Sequence, residues 1–167
     1  MLLACTKKLA DALKVNLIEV NPLRREPFFE WHAHLFIYKR RKGIIMMNNQ
    51  TRYCIVLYGV MAEHLRDFRQ ISLSAIEKTW AAEGFSRDII ARYIEHCKDI
   101  VITKTYDRSI LGQINDVIYL LPWQTGEWLH ENEVVQIKAS RDIGQMPMVN
   151  LPEILPIHSL RKELAKI

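Results

Sequence analysis

A chain of 167 residues, 49% hydrophobic and 25% charged, is long enough for one domain with a sizeable core and too apolar to stay disordered. Six glycines and six prolines exclude a collagen-like or low-complexity chain, and no apolar run approaches the ~20 residues of a membrane helix. The formal net charge of +4 is uneven: residues 1–60 hold ten Lys and Arg against four Asp and Glu, with a peak at Lys39-Arg40-Arg41-Lys42 and Arg24-Arg25 upstream.

In chain order, Leu2 to Cys5 reads as a short strand, and Thr6 can cap a helix whose apolar side is Leu9, Ala10 and Leu13. A loop follows through Asn21-Pro22 and Pro27. Glu30 to Tyr38 alternates with period two. Trp31, Ala33, Leu35 and Ile37 point one way, and Glu30, His32 and His34 the other, which is the pattern of a half-buried strand. Arg40 to Gly43 reads as a turn, Ile44 to Met47 as the returning strand, Asn48-Asn49-Gln50 as a second turn, and Arg52 to Val60 as a third strand.

The middle of the chain is helical. Met61, Leu65 and Phe68 share a face; Ser74 and Glu77 have the spacing of a capping box, and Gly84 stops that helix. Ser86 caps the next helix, and Ile100 to Thr103 returns as a strand. Asp107 caps a longer helix reaching about Leu121, with Pro122 as its expected end. Further on, Glu133 to Ala139 suggests a strand and His158 to Ile167 a short helix; Trp123 and Trp128 imply that this tail packs on the domain or on a partner chain. The expected architecture is α+β: an antiparallel meander around residues 30–60 with helices packed on one face. Residues 1–121 form the domain and 122–167 a C-terminal extension.

The helix after Asp107 carries the strongest functional signal. Its apolar face is Ile110, Leu111, Ile114, Val117, Ile118 and Leu121. The opposite face aligns Arg108, Gly112, Asn115 and Tyr119, with Ser109 and Asp116 on one edge. Glycine inside a helix costs about 1 kcal/mol relative to alanine, and an arginine in the first turn opposes the positive end of the dipole. Lys104, Thr105, Arg108 and Ser109 surround the amides of the helix start, and Gly112 leaves room for close approach. This points to a site for phosphate or carboxylate. The structural alternative pairs Arg108 with a carboxylate of the same chain, such as Asp116, and packs a strand on Gly112.

Other chemistry is thinner. Lys39, Arg40, Arg41 and Lys42 suit nucleic acid or a solvated hairpin turn. His32-x-His34, with Glu30 before them, has a spacing that metal sites use, but a bare pair shows no second shell and reads as a pair of exposed histidines on the outer face of the sheet, with Arg52; no metal and no cofactor are expected. Ser109, His32 and Asp116 contain the residue types of a hydrolase without a nucleophile-elbow motif. Cys5, Cys54 and Cys97 are odd in number and lack a Cys-x-x-Cys pair, and Lys7 and Lys8 follow rather than precede the short apolar start. A reducing, cytoplasmic setting is expected.

Trp31-His32, Arg40-Arg41-Lys42, Arg52-Tyr53, Lys104-Thr105, Arg108-Ser109, Gly112 and Asn115-Asp116, in this order, resemble a bacterial family of unknown function over about residues 1–121. That resemblance implies a small bacterial or archaeal domain with no assigned activity; the family pattern has asparagine where this chain has His34. The function expected first is a non-enzymatic binding module for an anionic group (phosphate, carboxylate or nucleic acid). The site residues are Lys104, Thr105, Arg108, Ser109, Gly112, Asn115 and His32. A hydrolase using Arg108 with His32, and a structural or interaction subunit whose polar helix face meets a partner protein, are the alternatives, and the C-terminal extension is a candidate surface for a homo-oligomer.

Overall fold

Five strands form one sheet in the order β4-β3-β2-β1-β5, where β1 is Leu2–Cys5, β2 Glu30–Tyr38, β3 Arg41–Asn48, β4 Cys54–Tyr58 and β5 Val101–Lys104. The computed structural model describes residues 1–19, 26–124 and 129–167. The loop at Asn21-Pro22, Arg24-Arg25, Trp128 and the side chains of Leu121 and Trp123 lie outside the described residues.

β2, β3 and β4 are the antiparallel meander that the alternation predicts, with Leu35 opposite Ile44 and Ile45 opposite Val56. The sheet as a whole is mixed, because β1 runs parallel to both β2 and β5. This corrects the expectation of an antiparallel sheet. Leu2-Leu3-Ala4-Cys5 is a four-residue apolar run with no period to read, and its partners lie 28 and 99 residues away.

Helices cover both faces rather than one. Against the face of Trp31, Ala33, Leu35, Ile55 and Leu57 pack α1 (Lys7–Leu13), α2 (Ala62–Arg66), α3 (Phe68–Ala82), α4 (Arg87–His96) and α7 (Pro156–Leu164). Trp31 Nε1 donates to Tyr93 Oη at 2.9 Å, and that hydroxyl donates to the Phe28 carbonyl at 2.8 Å, so this pair of buried aromatics is satisfied, whereas Trp80 Nε1 in the same core has no partner among the described residues. Against the face of Phe36, Ile45, Met47, Val56 and Tyr58 pack α5 (Arg108–Gln124) and α6 (Ile137–Gly144), through Ile110, Ile114, Val117, Ala139 and Ile143. The face carrying His32 and His34 is therefore an interior face and not the exposed outer face expected, because α5 and α6 cover it. Ile37, which shares the side of Trp31, Ala33 and Leu35 in the alternation, is nevertheless 53% exposed.

Local expectations fare unevenly. The hairpin turn is Lys39-Arg40 instead of Arg40 to Gly43, as Arg41 already pairs with Tyr38. Ser74 lies inside α3 and caps nothing, whereas Gly84, at φ +88°, follows the helix end as expected. Ser86 caps α4 through the amide of Ile89. α5 continues to Gln124, past Pro122. The predicted strand at Glu133 to Ala139 is a single bridge, Val135 to Leu57, followed by α6.

The segment at residues 134–140 packs against the sheet. It completes the outer edge of β4: Tyr58 N donates to Val134 O, Gln136 N to Val56 O, and Val56 N to Ser140 Oγ, each at 2.9 Å. An edge strand otherwise exposes these groups to another chain. Among the described residues no helix is long and apolar enough to cross a membrane.

Candidate functional site

The first turn of α5 rests on a polar cluster that interrupts the second core. His32 is fully buried on β2. Its Nε2 faces the amides of Asp107 (3.3 Å) and Tyr106 (3.5 Å), so it is an acceptor. The hydrogen therefore sits on Nδ1, which donates to Asn49 Oδ1 at 2.8 Å. Asn49 Nδ2 donates to Glu30 Oε2 at 3.2 Å and to Tyr106 Oη at 2.7 Å, and the Tyr106 hydroxyl donates to Glu30 Oε2. The network ties β2, the β3–β4 turn and the β5–α5 loop together.

Burial lowers the His32 pKa; the Asn49 hydrogen bond and the nearby Asp107 and Glu30 oppose the shift, and Arg52 adds to it. The imidazole is neutral, with both nitrogens engaged. It holds the loop that launches α5, and neither nitrogen is free to take a ligand or a proton from a substrate. His34 is half-buried and also lowered by burial, then by Lys8. Glu30 is bound into the network described above. Among the described residues no group of three His, Cys, Asp or Glu side chains could hold a metal ion.

Asp107 caps α5: its Oδ1 accepts from Ser109 N at 2.8 Å and Ile110 N at 3.2 Å. Two of the amides expected to face a ligand are thus occupied by the protein's own carboxylate. Arg52 lies close enough to Asp107 for their charges to interact. It stands at φ +58° in the turn that the Asn48 side chain organises by accepting from Gln50 N and Thr51 N. Its guanidinium donates to Asn49 O, while Nε is buried with no partner.

Arg108, Ser109, Gly112 and Asn115 lie exposed on the outer face of α5 and Lys104 just before it; Thr105 is half-buried. Arg108 has no ion pair or hydrogen bond to a described residue, Asp116 included, and a Cβ built on Gly112 meets nothing within 4 Å. The face is open. The basic turn is elsewhere: Lys39 to Lys42 lie at the far end of β2 from Glu30, roughly 25 Å along a strand rising ~3.3 Å per residue. The two cationic sets are separate surfaces.

Glu30, Asn49, Arg52, Tyr106 and Asp107 join His32 only in three dimensions. Glu30 reads as a strand residue and Asp107 as a helix cap, but nothing in their spacing pairs them across 77 positions.

Comparison with known families gives one match. The profile of a domain of unknown function, DUF6933, matches residues 2–157. The chain belongs to this family. The DUF6933 match extends beyond residue 121 and takes in α6, so the part of the tail that seals β4 falls within the family's own domain. Comparison with curated proteins and with solved structures finds no match.

Proposed function

We propose that this DUF6933 domain is a binding module for a small anionic group, phosphate or carboxylate, held by Arg108 at the start of α5. The observation that carries this reading is the guanidinium itself, which is exposed and unpaired among the described residues. It stands where a cation opposes the helix dipole. A bound anion removes that opposition and gains a bidentate, charge-assisted contact. Lys104 adds a second exposed cation, and the space over Gly112 admits a ligand one turn along.

The buried network supports this by fixing the helix start from beneath, so that Arg108 is presented from a rigid element. Because Asp107 holds the amides of Ser109 and Ile110, recognition rests on the two cations and Asn115 rather than on the helix amides. His32 serves as a positioning residue in this reading, not as a ligand-binding one. Buried, unpaired Cys5, Cys54 and Cys97, with thiol pKa values pushed up by burial to about 12 for Cys5 and about 11 for Cys97, favour a reducing, cytoplasmic setting.

The test is calorimetry and thermal shift at low salt with inorganic phosphate, sulfate and citrate. The unaltered protein binds at least one of them, and Arg108→Ala loses tenfold or more in affinity without losing stability. Equal binding by both proteins, or no saturable binding of any of the three, overturns the reading.

A further inference from the structure

We propose a second site, independent of Arg108, in the cleft beneath the β2–β3 hairpin, and assign it to a nucleotide unit, free or within a strand. The cleft has a volume of about 500 Å³, within the range of small-molecule sites. Its rim is Arg40, Arg41 and Lys42, and its lining includes the apolar Val60, Met61 and Val134, with Asn132 alongside.

The charge is one-sided. Against the three cations stands one carboxylate, Glu131, whose Oε2 accepts from Arg41 Nη2 at 2.8 Å. Both members of that pair are about half exposed, at 45% and 55%, so solvent already weakens it and a phosphate can take the arginine in exchange. His64 is turned inward to the chain, its Nδ1 accepting from the Met61 amide at 3.0 Å.

The turn that supplies the rim is chosen against its own conformation. Lys39 and Arg40 stand at φ +45° and +63°, both left-handed, in a two-residue hairpin loop of the kind that favours Asn-Gly. Two long cationic side chains at these positions give up backbone ease for charge, and strain of this sort collects at functional sites. Met61 is likewise 57% exposed on the cleft, where no core contact requires it.

These features divide a ligand into two parts. A guanidinium fork and an ammonium suit a phosphate. A methionine with a valine floor suits the face of a base, through its soft sulfur and its flat apolar area. The Asn132 amide offers a donor and an acceptor to a base edge. Lys39, with Nζ 5.4 Å from the centre of the Tyr38 ring, lies outside the cleft, where a following phosphate of a strand would pass.

The experiment measures AMP and inorganic phosphate by calorimetry, and a labelled ten-residue oligothymidylate by anisotropy, at low salt. Three variants are compared with the unaltered protein. Arg40→Gly relieves the turn and should raise the thermal midpoint while weakening AMP or oligonucleotide binding tenfold or more. Met61→Ser, which removes the apolar contact without adding charge, should weaken AMP or the oligonucleotide and leave phosphate less affected. Arg108→Ala should leave both unchanged, which separates this site from the one on α5. Binding of AMP assigns a free nucleotide, and binding of the oligonucleotide alone assigns a strand; either supports the site. Failure of both ligands to bind, or binding that Arg40→Gly does not weaken, overturns it. Phosphate binding as tightly as AMP, with AMP unaffected by Met61→Ser, overturns the nucleotide assignment in favour of a plain anion site.

Discussion

Gly112→Ala tests whether the outer face of α5 is open. Gly112 is the fifth residue of α5, exposed four residues after Arg108, and a Cβ placed there meets no heavy atom within 4 Å. The added methyl therefore clashes with nothing, and its effect is the helix-propensity difference, a gain of about 1 kcal/mol. For a chain of this length that gain corresponds to roughly 2–4 °C in thermal midpoint. Gly144, in the last turn of α6, is the matched opposite. A Cβ there lies 2.7 Å from Cε2 of the buried Tyr53, whose hydroxyl donates to Glu83 Oε1 at 2.7 Å and so resists retreat. Gly144→Ala should lose about 1–3 kcal/mol by overpacking. Urea titrations followed by tryptophan fluorescence measure both variants, with slopes unchanged. A destabilised Gly112→Ala would mean that the face is filled in solution, and the argument for a site beside Arg108 would fail with it. A stabilised variant that also binds phosphate less tightly would place the ligand over the glycine.

Further outcomes follow from the packing and the network. Ile114, fully buried between α5 and the sheet, should cost about 2–5 kcal/mol as Ile114→Ala in the same titration, through lost contacts and the cavity left behind. Asp107→Ala removes the acceptor of two amides and should cost about 1 kcal/mol, yet raise phosphate affinity at Arg108 by freeing those amides and removing a like charge; a fall in affinity would contradict the proposed geometry. His32 is held below its usual pKa, chiefly by burial, so the unfolded chain binds more protons than the fold once the pH drops below about 6.5. Stability is then complete above that pH and declines as the solution is acidified, by at most about 1.4 kcal/mol per pH unit for each such histidine. His34 adds to the slope, and His32→Gln should reduce it; urea midpoints that stay level from pH 7.5 to 5 would refute a neutral buried His32.

Where a signal was local, sequence reasoning reached the structure. The period of Glu30 to Tyr38 is that of β2 as built, and Asp107, Ser86 and Gly84 act as helix punctuation because a cap or a left-handed stop needs only its immediate neighbours. It failed where neighbours compete. Ser74 and Glu77 have capping-box spacing, but the helix already runs through them from Phe68, and hydrogen bonding along the helix prevails over a side-chain cap. Gly43 suggests a turn over Arg40 to Gly43, but it lies within β3 and makes room for the Phe36 ring, whose atoms would lie 2.2 to 2.6 Å from a Cβ there.

Sequence by itself determined the meander, the amphipathic α5 with Arg108, Gly112 and Asn115 on its outer side, and the basic hairpin. Each depends on residues a few positions apart, whose faces follow from a period of 2 or 3.6. Tertiary structure alone decided that β1 joins β2 and β5 in parallel, that α5 and α6 close over the histidine face, and that His32 spends both nitrogens on holding a loop. Alternation separates the two faces of a strand but does not say what covers either one. A histidine becomes a buried, neutral clamp only when Asn49, Tyr106 and Asp107 arrive from 17, 74 and 75 residues away, and long-range packing of that kind leaves no trace in local spacing.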